Sequence, residues 1–319
     1  MRGEKSGKFR KGGGGLKHSG KAGKVRHEKI RRDKRERIDR AKTSLFIAPS
    51  FIGAAIFFIL PFFVVGYYAL IDNPISREFV GLQNFVNLFG NSAFRTAAKN
   101  TAVFSAIAVP LAVILPLCFA LLLLRKLPLG SLFKTVLISP LMVPTASVVL
   151  IWQVLFHYNG TVNSFLERFG IDKIDFFKSD YCLIIIVLLF LWKNIGYNMI
   201  LFMSALAAIP TDITEACMLD GAGPVRVFFR IKLPYISSTV CFVTILSLIS
   251  SFKIFREVYL MTGRYPYERL YMLQHFMNNT FESLDYQKLS AAAIIMCAVM
   301  IVLIGALFFV DNRVGRDIE

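Results

Sequence analysis

The chain has 319 residues, of which 55% are hydrophobic and 30 are phenylalanine, and its mean hydropathy is +0.56. These values exclude an ordinary soluble globular protein. The formal net charge is +16, but residues 1–42 alone carry 17 Lys and Arg against 5 Asp and Glu, a net charge of +12. Because the basic excess belongs to one tail, it gives no support for nucleic-acid binding by the whole chain.

The tail of residues 1–42 combines Gly, Lys and Arg with few bulky apolar side chains, so it is predicted to be disordered. The five cysteines lie singly, without His or Cys at ligand spacing. The sequence therefore predicts neither a disulfide framework nor a metal site.

Six hydrophobic runs follow the tail, each about as long as a helix needs to cross a ~30 Å hydrocarbon layer. They predict an all-α integral membrane protein with six transmembrane helices at 45–70, 101–124, 135–156, 181–208, 235–259 and 289–310. Several prolines fall inside these runs, which predicts bent helices around a pathway. These prolines are Pro61, Pro110, Pro116, Pro140 and Pro144.

The orientation follows from the Lys and Arg residues that crowd positions 31–42, directly before the first run. Such an excess predicts a cytoplasmic N-terminus, and six spans return the C-terminal tail 311–319 to the same side. The connections 125–134 and 210–234 are then cytoplasmic, and the other three are outside. Beyond the tail, Lys and Arg are almost evenly divided between the two sides, so the tail alone decides the orientation.

The connection 210–234 is predicted to form two short helices. Asp212 is placed to cap the first helix, with Glu215 reaching back in a capping box, and Gly221 can adopt the left-handed conformation at its end. Pro224 suits the first turn of the second helix, which is expected to end near Leu233 because Pro234 follows. The apolar face of the second helix would comprise Val225, Phe228 and Phe229.

An ordinary solvated loop is the alternative interpretation of 210–234. Against it stands a pattern in which Glu215-Ala216-Cys217 is followed by Gly221 and then by Ile231-Lys232-Leu233-Pro234. This pattern and its spacing resemble the signature loop of permease subunits of bacterial binding-protein-dependent ABC importers, with Cys217 where Ala is usual. The resemblance implies that this coupling-helix loop docks in a cleft of a cytoplasmic ATPase subunit. The docking residues it implies are Glu215, Ala216, Asp220, Gly221, Ile231, Leu233 and Pro234.

The resemblance covers most of residues 43–310. Within this family, the sequence is similar to the carbohydrate-type permeases for maltose-like oligosaccharides and glycerol phosphates. The residues that carry it are at 45–49, 81–85, 192–198 and 207–210. It implies a first transmembrane helix with its outer loop at 43–96 and a type I ABC importer permease core of five helices at 97–310. The implied function is import of a sugar or oligosaccharide by alternating access in a bacterial plasma membrane.

The implied partners are a second permease subunit that is a distinct homologue, two cytoplasmic ABC ATPases and an extracellular solute-binding protein. The chain itself would be no enzyme and would bind no cofactor, since ATP and Mg²⁺ belong to the ATPase. Three alternatives remain open at this stage: an ATPase-independent secondary transporter or channel, an ABC permease for another kind of solute, and a membrane scaffold that acts through its basic tail.

Lys193 lies 12 residues into the fourth predicted span, about 18 Å along the helix and near mid-membrane. A charge there is costly, so it needs a wet cavity or a partner. One hypothesis places Lys193, Asn194, Tyr197 and Asn198 on the translocation path. The alternative is a helix-packing contact, or a Lys stem that reaches the interface.

Two further groups of side chains are predicted to lie at the outer interface. Lys253 and Glu257 are spaced for a local ion pair at the end of the fifth span. The end of the third span is predicted to form an aromatic belt. The belt residues are Trp152, Gln153, Phe156, His157 and Tyr158.

Overall fold

The computed structural model describes residues 46–125 and 128–315. The predicted basic tail 1–42, Leu45 at the predicted start of the first span, and residues 316–319 of the predicted C-terminal tail lie outside the described residues. The chain divides at Val64 into two units. In the first unit, the described residues form a helix that widens into a π-helical turn at Ala55–Ile59, just before Pro61. A π turn helps to accommodate a residue that lacks a backbone N–H.

Within the described residues, five helices are long and apolar enough to cross a membrane, and there are six spans when a bent pair of helices is counted as one. This agrees with the six predicted spans. In chain order, spans 1 to 6 are Phe46–Tyr68, Ser92–Leu123, the pair Gly130–Met142 and Thr145–Glu167, Cys182–Ala207, Ser237–Thr262 and Tyr286–Arg313. Shorter helices outside the spans are Gln83–Gly90, Thr211–Leu219, Pro224–Val227 and Leu273–Glu282. We call the side of the bundle that carries residues 69–91, 168–181 and 263–285 the distal side, because it lies opposite the loop 210–234.

Proline has different effects in different spans. Span 3 contains an α-helix, Gly130–Ile138, then a 3-10 turn that includes Pro140, and after Pro144 a second helix begins at Thr145. The two halves meet at 105°, so the bend predicted from Pro140 and Pro144 is confirmed. Pro110 and Pro116, by contrast, stay inside one helix of 32 residues.

Span 2 packs mainly against spans 4 and 5, and the core is built around it. Toward the distal side, the rings of Phe104 and Phe190 meet edge to face at 5.5 Å inside one buried cluster. Toward the loop 210–234, a second cluster contains Leu117, Phe202 and Ile236. Burial of these side chains between helices fixes the positions of the residues that carry the candidate site.

Gly196 lets span 4 approach the first half of span 3 closely. A Cβ atom placed on Gly196 would lie 2.0 Å from the carbonyl oxygen of Leu137 and 2.9 Å from the Cα of Ile138. Both neighbours are backbone atoms, which cannot rotate away as a side chain can. Glycine is therefore required for this helix contact.

A buried histidine, which sequence reasoning did not single out, organises the distal side. His275 is fully buried, its ring meets that of Phe255 at 4.6 Å, and its Nδ1 accepts a hydrogen bond from the N–H of Met272 at 3.3 Å. Burial lowers the pKa of His275 to about 4. The imidazole is therefore neutral at physiological pH.

We expect Gly196→Ala to destabilise the fold by about 2 kcal/mol, because the added methyl group forces two backbones apart. Gly305→Ala is the matched control, since a Cβ at Gly305 meets nothing within 4 Å. The measurement is an unfolding titration of the purified protein in SDS. Equal stability of the two variants would contradict the assigned contact.

We expect acid to destabilise the protein through His275. In the unfolded chain the pKa of His275 is near 6.5, whereas in the folded protein it is about 4. Between these two pH values only the unfolded chain binds the proton, so the free energy of unfolding decreases as the pH falls from about 6.5 to about 4. The loss reaches ~2 kcal/mol at pH 5. His275→Phe is expected to flatten the dependence of stability on pH between 7 and 5, whereas the exposed control His157→Phe is expected to keep it. An unchanged slope in His275→Phe would rule out this origin.

Candidate coupling loop and intramembrane polar site

The first helix of the loop, Thr211–Leu219, begins two positions earlier than predicted. Pro210 is its N-cap residue, and among the described residues the Asp212 carboxylate accepts a hydrogen bond from the Thr211 hydroxyl at 3.4 Å. The predicted capping box of Asp212 and Glu215 is therefore wrong. Asp212 lies inside the first turn, where its charge still favours the helix N-terminus.

The end of this helix is as predicted. Gly221 has a φ of +80°, its N–H donates to Met218 at 3.0 Å, and the N–H of Ala222 donates to Cys217 at 3.0 Å. These two bonds form a Schellman motif, which satisfies carbonyl groups that the helix end leaves free. A side chain at Gly221 would strain the left-handed backbone, so glycine sets the angle at which the chain leaves the helix.

The second helix does not end near Leu233. Pro224–Val227 continues into a π-helical segment, Phe228–Lys232, and helix resumes at Leu233–Tyr235. The N–H of Leu233 donates to Phe228, five residues back, and this wider turn leaves room for the ring of Pro234. The regular helical backbone is interrupted at Ile236 instead, where φ is −99° and ψ is 11°, directly before span 5.

The loop has an exposed half and an anchored half. Glu215, Ala216, Asp220 and Gly221 are exposed, and the neighbouring Leu219 is 89% exposed. Ile231, Leu233 and Pro234 are half-buried, and Leu233 packs against the buried cluster nearest the loop. An apolar side chain as open as Leu219 indicates a surface that a partner covers.

The predicted apolar face of the second helix is divided between the bundle and solvent. Phe228 packs against the same cluster as Leu233, and its ring contacts that of Phe229 at 5.0 Å. Phe229 is 60% exposed and Val225 is 69% exposed. The sequence did not single out Val227, which is fully buried.

Lys193 forms an ion pair with Glu257 and a hydrogen bond of 3.3 Å with the Thr145 hydroxyl. The ion pair joins spans 4 and 5, and Thr145 is the first residue after the break in span 3. The side chains of Lys193 and Glu257 are only 23% and 9% exposed. The predicted pair of Glu257 with Lys253 is wrong, because a turn at residues 253–254 interrupts the helix and leaves Lys253 exposed.

The other three residues proposed for the path have different surroundings. Asn194 donates to the carbonyl of Phe190 in its own helix at 2.7 Å. Tyr197 is 41% exposed. Asn198 is buried and donates to the carbonyl of Ala112 at 2.7 Å and to the Ser247 hydroxyl at 3.0 Å, so it links spans 2, 4 and 5.

Gln153, predicted as part of an aromatic belt, also links two spans. It donates to the carbonyl of Met261 at 2.7 Å, and Trp152 stacks on Phe156 at 5.2 Å. A cavity of about 530 Å³ opens beside Gln153 and His157 on the distal side. Another cavity of about 670 Å³, between spans 2, 5 and 6, is lined almost entirely by apolar side chains and offers few hydrogen-bonding groups to a sugar.

The candidate spans and the apolar composition define an integral membrane protein. Residues 109–318 match the family described as "Binding-protein-dependent transport system inner membrane component". The chain belongs to this family, so it is a permease and not an enzyme. This assignment favours an importer permease over a secondary transporter or a scaffold.

Similar proteins carry the same assignment. The chain is 31% identical over 277 residues, 85% of its own length and 94% of theirs, to the sn-glycerol-3-phosphate transport system permease proteins UgpA of Salmonella typhimurium and Escherichia coli. Its fold matches a chain of a bacterial ABC transporter involved in the import of the acidic polysaccharide alginate, with a TM-score of 0.77 and 22% identity over 89% of this chain and 99% of that one. A second match, at a TM-score of 0.75 and 21% identity over 88% and 97% of the two chains, is the alginate transporter in complex with an alginate pentasaccharide-bound periplasmic protein.

We expect Lys193→Met or Glu257→Gln alone to destabilise the fold by about 3 kcal/mol, because each leaves one charge buried without its partner. The double variant is expected to be more stable than the sum of the two single effects predicts, by about 2 kcal/mol. SDS titration of all four proteins completes the cycle. Additive effects would show that the two charges do not stabilise one another.

Proposed function

We propose that this permease forms the translocation path for a sugar, an oligosaccharide or a related polyol phosphate, and that cytoplasmic ATPases drive it through the loop 210–234. The solute class is supported by relatives that are named as glycerol-3-phosphate permeases and that align over most of both chains. Resemblance of the sequence to carbohydrate-type permeases points the same way.

The observation that carries ATPase docking is the structure of the loop. Its first helix presents Glu215 and Leu219 to solvent, Gly221 fixes the exit angle, and Leu233 anchors the second helix to the bundle. A flexible solvated loop would need neither the Schellman motif nor the buried anchor. An exposed element on a rigid base suits transmission of force from a partner.

The arrangement of partners follows from this docking. The loop would face the cytoplasm, together with both termini, and the distal side would face outward. Two ATPases would bind ATP and Mg²⁺, a second, distinct permease would complete the path, and an extracellular binding protein would deliver the solute. The name of the family supports the last of these, because it specifies transport that depends on a binding protein.

The path is proposed to pass Lys193, Asn194 and Tyr197. An ammonium group, an amide and a phenol supply hydrogen bonds to hydroxyl groups, and Tyr197 is the most exposed of the three. The amide of Asn198 is engaged in contacts between helices, so its contribution would be to hold span 4 in place. Solute would move by alternating access, and this requires that the ATPases interact differently with the two permease states.

We expect Glu215→Lys to insert normally but to lose ATPase association and uptake, because a docking charge is reversed. A weakening of about 2 kcal/mol or more corresponds to roughly a thirtyfold rise in Kd. The measurements are co-purification of the ATPase from membranes and solute uptake. Glu167→Lys is the matched control, since Glu167 is exposed on the distal end of span 3. Retention of both ATPase and uptake by Glu215→Lys would refute the docking assignment.

A further inference from the structure

The short helix Gln83–Gly90, which we call the distal helix, has three distinct faces. One face is held against the bundle. Leu88 is fully buried, and the Asn84 amide donates to the carbonyls of Ala69 at 3.0 Å and Ile71 at 2.8 Å. These contacts fix how the helix is rotated about its axis.

The second face is apolar and open. It consists of Leu82 at the N-cap, Val86 and Phe89, which are 69%, 62% and 57% exposed. The spacing of four and then three residues places them in one row along the helix. The third face is polar, since the Gln83 side-chain amide donates to the side-chain Oδ1 of Asn87 at 3.0 Å and both residues are exposed.

The depth of the distal helix is set by the ends of three spans. It is bonded to Ala69 and Ile71, directly after span 1, and Ser92 begins span 2 directly after it. Leu88 shares a buried cluster with Ala291 and Ala292, which lie in the second turn of span 6. The helix therefore lies at the level where the spans leave the hydrocarbon.

Composition agrees with this depth. Residues 79–94 contain no Asp, Glu, Lys or Arg, although charged residues occur immediately before and after, at Glu78 and Arg95. A solvated surface helix normally carries charges on its open side. An uncharged helix with an apolar face beside a polar one matches the boundary between lipid and water.

We propose that the distal helix is an interfacial helix, whose face of Leu82, Val86 and Phe89 inserts into the lipid leaflet on the distal side while Gln83 and Asn87 face water. Three side chains are far fewer than the roughly 20 residues that each partner supplies to a stable protein interface. The helix thereby fixes the height of the distal ends of spans 1, 2 and 6 relative to the bilayer.

Tryptophan placed on two faces of the distal helix tests the proposal. The full chain is co-expressed with its partner subunits and reconstituted in phosphatidylcholine bilayers whose acyl chains carry bromine, a quencher of Trp emission. The variants are Val86→Trp and Phe89→Trp on the apolar face and Asn87→Trp on the polar face. The two natural Trp residues are present in every sample, so the emission of the unmodified protein is subtracted.

The Trp at 86 and at 89 is expected to emit at shorter wavelength and to lose most of its emission to brominated lipid. The Trp at 87 is expected to be quenched by iodide in the buffer instead. Phe89→Trp replaces one aromatic ring by another, so it keeps the test valid if Val86→Trp does not fold. Iodide quenching at 89 equal to that at 87 would overturn the proposal, because the face would lie in water. Short-wavelength emission at 89 without quenching by brominated lipid would overturn it as well, because a protein would cover the face.

Discussion

The ion pair between Lys193 and Glu257 holds together the part of the bundle where two spans are interrupted. Span 3 resumes at Thr145 after its 105° bend, and span 5 resumes just before Glu257. In hydrocarbon, backbone groups freed by such breaks find no water, and a single buried charge is costly. Pairing Lys193 with Glu257, and adding the Thr145 hydroxyl, satisfies the charges and joins three spans at once. The interruptions are thereby compatible with a stable fold.

The sequence predicted those features that depend on local chemistry. Hydrophobic runs of about 20 residues identify spans because a helix of that length, made of apolar residues, crosses the hydrocarbon layer of the bilayer. Gly221 was predicted to turn left-handed at a helix end, and its φ of +80° confirms this because few other residues tolerate that conformation. The break at Pro144 follows in the same way from the missing N–H and the fixed φ of proline.

Features that depend on distant neighbours were not predictable. Lys253 and Glu257 are well spaced for an ion pair on a continuous helix, but the helix is interrupted between them. Glu257 pairs instead with Lys193, which is 64 residues away in the sequence. Pro234 is expected to end a helix, but the wider π-helical turn before it leaves room for its ring, and the helix continues. His275 gives no signal in the sequence, since the ring of Phe255 that packs on it belongs to span 5, whereas Met272 is the N-cap residue of its own helix. For Glu257 and His275, contacts made by the fold override what the local sequence suggests, whereas the π-helical turn before Pro234 is a local alternative to ending the helix.

The helix Ser237–Phe252 connects the coupling loop to the intramembrane ion pair. The loop's second helix packs on the bundle through Leu233 and leads through Ile236 into this helix of 16 residues, about 24 Å long. At its other end lie the turn at 253–254 and then Glu257. Under the proposed docking, this helix is the direct covalent connection between the loop and Glu257, the partner of Lys193. Any displacement of the loop along the helix axis would therefore be opposed by the ion pair at the other end.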